Sequence, residues 1–279
     1  MPLVSPGEWL RKAQRLGFAL GAFNVENMEM AQAVVAAANA LHAPVMVQTT
    51  SGTLGFAPPE VFAGLVSRLA QAAAVPVALH LDHGNGLDLA RRAIAAGYTS
   101  VMIDGSTLPY EENAALTRSV VRIAGDVPVE AELGTVGGKE DAHSAEVRYT
   151  DPDQAADFAR RTGISSFAVA IGTAHGFYKG EPKLDLDRLA AIRARVSVPL
   201  VLHGTSGVPE DQVRACIARG ICKVNYATEL RAAFTGAVRE ALAEKPDAID
   251  PKHYLKAGRA AVQALVEHRI RLCGAEGRA

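Results

Sequence analysis

Val77-Ala78-Leu79-His80-Leu81-Asp82 is a short apolar run, and it ends in polar residues, Asp82 and then His83-Gly84. A run of this length, followed by an Ala-rich segment with helical spacing, reads as a buried strand feeding a helix. The same pattern recurs at Phe18 to Val25, Val45 to Thr50, Ser100 to Ser106, Val129 to Gly134, Phe167 to Gly172, Leu200 to Gly204 and Lys223 to Thr228. Amphipathic stretches such as Glu29 to Leu41, Pro58 to Ala74, Tyr110 to Ala124, Asp153 to Thr162 and Glu210 to Arg219 lie between them. Near-continuous apolar strands alternating with helices imply a parallel sheet covered on both faces. Eight such units in 279 residues predict an α/β chain folded as one (β/α)8 TIM barrel over residues 1–279, since ~250 residues is typical. A doubly wound open sheet is the rival, and the even strand spacing favours closure. Extra C-terminal helical segments, after Glu229 and after Pro251, would finish the chain against the outside of the barrel.

Hydrophobic residues make up 49% and charged residues 21% of the chain, which is ordinary for a globular protein. The formal net charge of −1 offers no basic field for nucleic acid or an anionic membrane, so any phosphate must be gripped locally. Cys216, Cys222 and Cys273 lack CxxC spacing and read as buried or incidental thiols. The first residues carry no apolar signal segment and read as a capped helix near Ser5 and Pro6. No apolar run approaches the ~20 residues that span a bilayer, and the protein is expected to be cytoplasmic.

The polar residues fall in one place. Asn24, Asp82 with His83, Asp104, Glu132, His203 and Asn225 all lie at or near the carboxyl ends of predicted strands, and His175 follows the sixth strand. Catalytic groups of such barrels sit at that rim. A lone histidine there reads as hydrogen-bonded structure, but three beside carboxylates read as a metal site. Three neutral imidazoles with an open fourth position suit catalytic zinc, whereas structural zinc takes four protein ligands, several of them thiolates. His42, His253 and His268 read as surface, and His143 as part of a polar loop. His80, inside the third strand, reads as a core residue or one that orients Asp82.

Two signals point to an anion. His203-Gly204-Thr205-Ser206-Gly207 follows the seventh strand, and Asn225-Tyr226-Ala227-Thr228 leads from the eighth into a helix at Glu229. Loops after strands seven and eight are the usual phosphate site of these barrels, and small residues let backbone N–H groups approach the oxygens. Either segment alone could be a simple tight turn. After the fifth strand, Gly137-Gly138-Lys139-Glu140-Asp141 opens a long polar stretch. It reads either as a lid hinged on paired glycines and carrying an acid, or as a solvated loop.

LHLDHG (Leu79 to Gly84), MIDGS (Met102 to Ser106), VEAELG, IGTAHG, LVLHGTSG and KVNYATEL together resemble the class II, zinc-dependent ketose-bisphosphate aldolases, closest to the tagatose-bisphosphate branch and near the fructose-bisphosphate enzymes. The resemblance runs from Gly21 to the C-terminus. It implies reversible cleavage of a ketose 1,6-bisphosphate, tagatose favoured and fructose or another ketose 1-phosphate the alternative, to dihydroxyacetone phosphate and glyceraldehyde 3-phosphate. It implies Asp82 as the acid/base at the C4 oxygen and Glu140 as the mobile-loop acid. His83, His175 and His203 match the zinc ligands, with Asp104 and Glu132 near a second or alternate metal position. Gly176, Gly204 to Ser206 and Asn225 to Thr228 match the segments holding dihydroxyacetone phosphate, beside which a monovalent cation often binds. Asn24 and Lys179 join the substrate contacts, and Arg259 resembles a residue used for the distal phosphate. A homodimer or homotetramer is expected. Three departures bear on the substrate: Lys139 where many relatives carry a second acid, Tyr226 where a small aliphatic is commoner, and QTTSGTLGF (Gln48 to Phe56) after the second strand.

The chemistry fits these residue types. Zinc stabilises the enediolate left by retro-aldol cleavage, while a base takes the C4 hydroxyl proton and an acid returns a proton to carbon. A Schiff-base aldolase would need a buried lysine at the barrel centre. None is expected, because Lys223 opens its strand and Lys179, beyond Gly176, suits a phosphate. A metal-dependent hydrolase and a non-catalytic barrel subunit are the competing readings.

Overall fold

The computed structural model describes residues 2–140, 143–145, 148–178 and 180–279, with backbone alone at 139, 140 and 143–145. The strands are β1 Leu20–Asn24, β2 Val45–Thr50, β3 Val77–Gly84, β4 Ser100–Ile103, β5 Val129–Leu133, β6 Gly137–Glu140, β7 His143–Ala145, β8 Ser166–Val169, β9 Ala174–His175, β10 Leu200–Leu202 and β11 Ile221–Tyr226. Eight of them close into one barrel in the order β1-β11-β10-β8-β5-β4-β3-β2, every ladder parallel. The barrel strands are buried on both faces, as their apolar continuity requires when helices cover the outside.

The helices begin and end on local chemistry. Asn27 accepts from Met30 N at 2.9 Å to open the helix Met28–Ala40. Asp151 caps Pro152–Thr162, whose first position is proline and whose last turn closes on left-handed Gly163. Thr228–Glu244 and Pro251–Leu272 are the extra C-terminal helices, and the latter buries Val262, Val266 and Ile270 at helical spacing. Among the described residues no helix is long and apolar enough to cross a membrane. Cys216, Cys222 and Cys273 are buried free thiols, and burial raises all three, to about 12, 11 and 12.

One expectation gains detail and another is corrected. The stretch after β5 begins as a hairpin: β6 pairs with β7, and β6 also lies parallel to β9, with Gly138 opposite His175. That approach requires glycine, since a Cβ at Gly138 would stand 2.0 Å from the His175 carbonyl oxygen at φ +89°. Lys223 does not open its strand. Residues Ile221 and Cys222 precede it in β11, and its side chain lies fully buried against Glu130 of β5, inside the barrel.

Candidate active site

The period of two along each strand decides which side chains enter the barrel. His80 and Asp82 of β3, Glu130 and Glu132 of β5, and Lys223 and Asn225 of β11 share the inward phase. His83 is out of phase with Asp82 yet faces the same mouth. Its φ is +45°, and the β3–β4 register shifts between Leu81 and Gly84, so a local irregularity turns two consecutive side chains toward one site. Gly84 permits this, because a Cβ there would stand 2.4 Å from the Met102 carbonyl oxygen.

Asp82 is buried, and two amides hold it. Asn24 Nδ2 donates to Oδ2 at 2.8 Å and Asn225 Nδ2 to Oδ1 at 2.9 Å. Gln48 Nε2 donates to Asn24 Oδ1 at 2.6 Å, fixing the amide that Asp82 needs. Burial pushes the Asp82 carboxyl up, but His83, His203 and Lys223 and the Asn24 hydrogen bond outweigh it and hold it below the usual range.

His83, His175 and His203 bring one ring nitrogen each within 4.8 Å of the others, a set that could hold a metal ion. Their partners define two of the tautomers. His83 Nδ1 donates to Asp104 Oδ2 at 2.7 Å, and His203 Nε2 donates to Glu130 Oε1 at 3.0 Å. Both carboxyls are held low despite burial, Asp104 by its His83 hydrogen bond and Glu130 by Lys223 and His80, so both accept. The remaining nitrogens, His83 Nε2 and His203 Nδ1, then face each other as lone pairs 2.9 Å apart. Two such lone pairs repel unless a cation lies against both, and neutral imidazole is the metal-binding form. Burial, then the other imidazoles, keep His175 and His203 well below the usual histidine range. Glu132 Oε2 adds a buried oxygen with no hydrogen-bond partner among the described residues, 4.0 Å from His203 Nδ1. Burial and nearby Asp104 push the Glu132 carboxyl up to about 8. This donor set fits a divalent ion such as zinc.

Two cavities meet at His175. The narrow one is lined by Asn24, Asp82, Gly176, Gly204, Thr205, Ser206, Asn225, Ala227 and Thr228. The helix Thr228–Glu244 starts there, and Glu229 N donates to Ser206 Oγ at 3.4 Å, so small residues and a helix N-terminus converge as an anion site requires. Tyr178 braces it, accepting from Ala174 N at 2.7 Å and donating to the Gly204 carbonyl at 2.6 Å. The wide cavity, about 490 Å³, lies on the other side, lined in part by Ser51, Asn85, Asp104, Ser106, Thr107 and Glu132.

Several expected residues sit elsewhere. Tyr226 lines neither cavity; it follows inward Asn225, so its ring points outward, stacks on Phe23 at 5.5 Å and sets its hydroxyl 3.5 Å from Cys273 Sγ. Arg259 is exposed on Pro251–Leu272 and donates to Gln32 Oε1 at 3.1 Å, away from both cavities. Lys179 and the side chain of Glu140 lie outside the described residues. Sequence reasoning missed Gln48, Tyr178, Glu130 and Lys223. For the last two a signal existed: an inward polar pair at i and i+2 on β5 and on β11.

A closed parallel barrel with three convergent imidazoles, an ionised carboxylate and an anion cradle at its carboxyl mouth defines a barrel enzyme equipped for a metal ion and a phosphorylated substrate. The model of the class-II fructose-bisphosphate aldolase family matches residues 4–278, and the chain belongs to that family, as a carbon–carbon lyase. It is 46% identical over 282 residues, 99% of each chain, to the D-tagatose-1,6-bisphosphate aldolase subunit GatY of Klebsiella oxytoca. The crystal structure of the YdjI aldolase from Escherichia coli superposes with a TM-score of 0.87 at 37% identity, covering 99% of each chain. The fructose-bisphosphate aldolase structure from Campylobacter jejuni, 24% identical, shares the fold with a TM-score of 0.85 over 100% of this chain and 97% of the other.

Proposed function

We propose that the chain is a cytoplasmic, zinc-dependent aldolase that reversibly cleaves a ketose 1,6-bisphosphate to dihydroxyacetone phosphate and glyceraldehyde 3-phosphate. Tagatose 1,6-bisphosphate is the favoured substrate and the fructose epimer the alternative. The observation that carries the metal is the pair of imidazole lone pairs, His83 Nε2 and His203 Nδ1, facing each other at 2.9 Å beside His175. The 46% identity to a tagatose-bisphosphate aldolase subunit supports the preferred sugar.

His83, His175 and His203 would hold the zinc, which would supply positive charge to stabilise the electron density left on the ketose oxygen by carbon–carbon cleavage. Asp82, oriented by the amides of Asn24 and Asn225, takes the proton of the C4 hydroxyl. Glu140 is assigned the return of a proton to the triose carbon; its backbone follows Gly138, which lies against His175. The loop Gly204 to Ser206 and the start of Thr228–Glu244 grip the C1 phosphate through backbone N–H groups and hydroxyls. The wide cavity then receives the aldehyde half. Asp104 acts on the metal through His83 rather than as a ligand, while Glu132 stays available for an alternate metal position. A homodimer or homotetramer completes the proposal, and analytical ultracentrifugation reads it.

The test is cleavage before and after chelation. EDTA should abolish triose-phosphate release, zinc should restore it, and borohydride with substrate should leave no adduct. Full activity of the metal-free protein would overturn the mechanism. Side-by-side kcat/KM values for the two bisphosphates decide the sugar.

A further inference from the structure

One step below the metal-facing residues, the barrel carries a second polar layer. Barrel interiors are usually filled by branched apolar side chains, and this level instead holds a lysine, a glutamate and a histidine, each 1% exposed or less. Lys223 Nζ donates to Glu130 Oε2 at 3.0 Å, to Glu130 Oε1 at 3.1 Å and to His80 Nε2 at 3.4 Å, which uses all three of its protons. His80 passes its own proton from Nδ1 to Ser100 Oγ at 2.8 Å, and Ser166 Oγ donates to Glu130 Oε2 at 3.3 Å. Glu130 Oε1 has one acceptor position left, and His203 Nε2–H fills it at 3.0 Å.

We propose that Glu130 and Lys223 are positioning residues: their buried ion pair fixes His203 as the Nε2–H tautomer and aims Nδ1 at the metal. Removing two charges from water is costly, and an apolar pair of similar size is often as stable or more so. Stability therefore does not account for the pair, whereas orientation does. Lys223 holds both Glu130 oxygens, so the carboxylate cannot rotate away from the imidazole. Groups behind metal-bound histidines are typically worth 10–100-fold in metal affinity. The same geometry removes Lys223 from Schiff-base chemistry, since its ammonium is fully buried and held by a carboxylate and an imidazole.

The inference rests on the metal reading of His203, and the experiment separates the two. Zinc is titrated into chelator-stripped protein in competition with a chromophoric chelator, for the wild type, Glu130→Leu with Lys223→Met, and Glu130→Gln with Lys223→Met. Absence of zinc binding by the wild type would sink the functional reading itself. If the wild type binds, the apolar double variant should lose about 10–100-fold in affinity while the Tm of its metal-free form is unchanged or raised. The glutamine variant, which keeps an acceptor for His203 but no lysine to hold it, should recover only part of that loss, and full recovery would overturn the role of Lys223. An unchanged Kd in the apolar variant overturns the proposal, as does a borohydride adduct on Lys223. Should the apolar variant not fold, histidine ¹⁵N NMR of the metal-free wild type decides alone. Nε2–H at His203 is the expected result, and Nδ1–H overturns it.

Discussion

The two cavities that share His175 recognise their contents by different means. The narrow one is built from small residues and from main chain, Gly204 to Ser206 and Ala227 with Thr228, ending on a helix N-terminus. Its recognition is therefore general to any phosphate monoester. The wide one presents side chains from three separate segments: Ser51 at the start of the helix Ser51–Phe56, Asn85 after β3, and Ser106 with Thr107 after β4. A hydroxyl or amide there can favour one orientation of a C4 oxygen over another. Under the proposed reading, the first cavity and the histidines serve the reaction class, and the second is where one sugar is told from another.

Asp82→Asn should break both sides equally and has the largest effect. It keeps the shape but removes the base and one of the two amide hydrogen bonds, so kcat should fall by about 10²–10⁴ for either bisphosphate. Zinc content by metal analysis should not change. An unchanged kcat would remove Asp82 from the mechanism.

Ser206→Ala separates the halves. The serine lines the narrow cavity and accepts from Glu229 N, so its loss should cost on the order of 1.5 kcal/mol of phosphate grip, roughly a tenfold rise in KM. Because both sugars carry the same C1 phosphate, the tagatose-to-fructose ratio of kcat/KM should stay fixed. Asn85→Ala should do the reverse. One hydrogen bond of about 1 kcal/mol should move that ratio by roughly fivefold and leave binding of a dihydroxyacetone phosphate analogue alone. A ratio that moves in the serine variant and not in the asparagine variant would invert the assignment of the two cavities.

The same division explains what could be read from sequence. Phosphate loops depend on small residues and on position at or after a strand end; Gly204 and Gly207 mark the first in His203 to Gly207, and Ala227 leading into a helix marks it in Asn225 to Thr228. The histidines were legible because each lies at or just past the carboxyl end of an apolar run. Three things were not. The place of Lys223 depends on where β11 begins, and Ile221 and Cys222 extend it upstream of the apparent start. Alternation from Lys223 already sets Lys223 in phase with Asn225 and Tyr226 opposite; what the apparent start concealed is depth, since Ile221 and Cys222 carry Lys223 into the barrel interior rather than leaving it at the strand's mouth. Asp104 reads as a rim carboxylate like any other. Only the local φ of +45° at His83 brings the imidazole Nδ1 to it and makes it an orienting partner. The residues of the wide cavity come from helices, strands and turns far apart in sequence, whose approach is set by tertiary packing that no single run of sequence encodes.

Tyr226→Phe is the smallest perturbation and the sharpest check on that phase. If the ring formed a pocket wall, losing its hydroxyl would alter KM or the sugar ratio. In the structure the hydroxyl meets Cys273 Sγ at 3.5 Å, while the ring stacks on Phe23 and lies 5.6 Å beneath the Arg269 guanidinium, outside the barrel. An S–H contact of that kind is weak, so the cost should be about 0.5 kcal/mol or less in stability, read as a small shift in Tm. Phenylalanine keeps both ring contacts. Both kcat/KM values should stay within about twofold, the range left to surface-like substitutions away from a site. A change in the tagatose-to-fructose ratio in this variant would mean that β11 reaches the substrate through its outer face, and the inward assignment of Lys223 and Asn225 would fall with it.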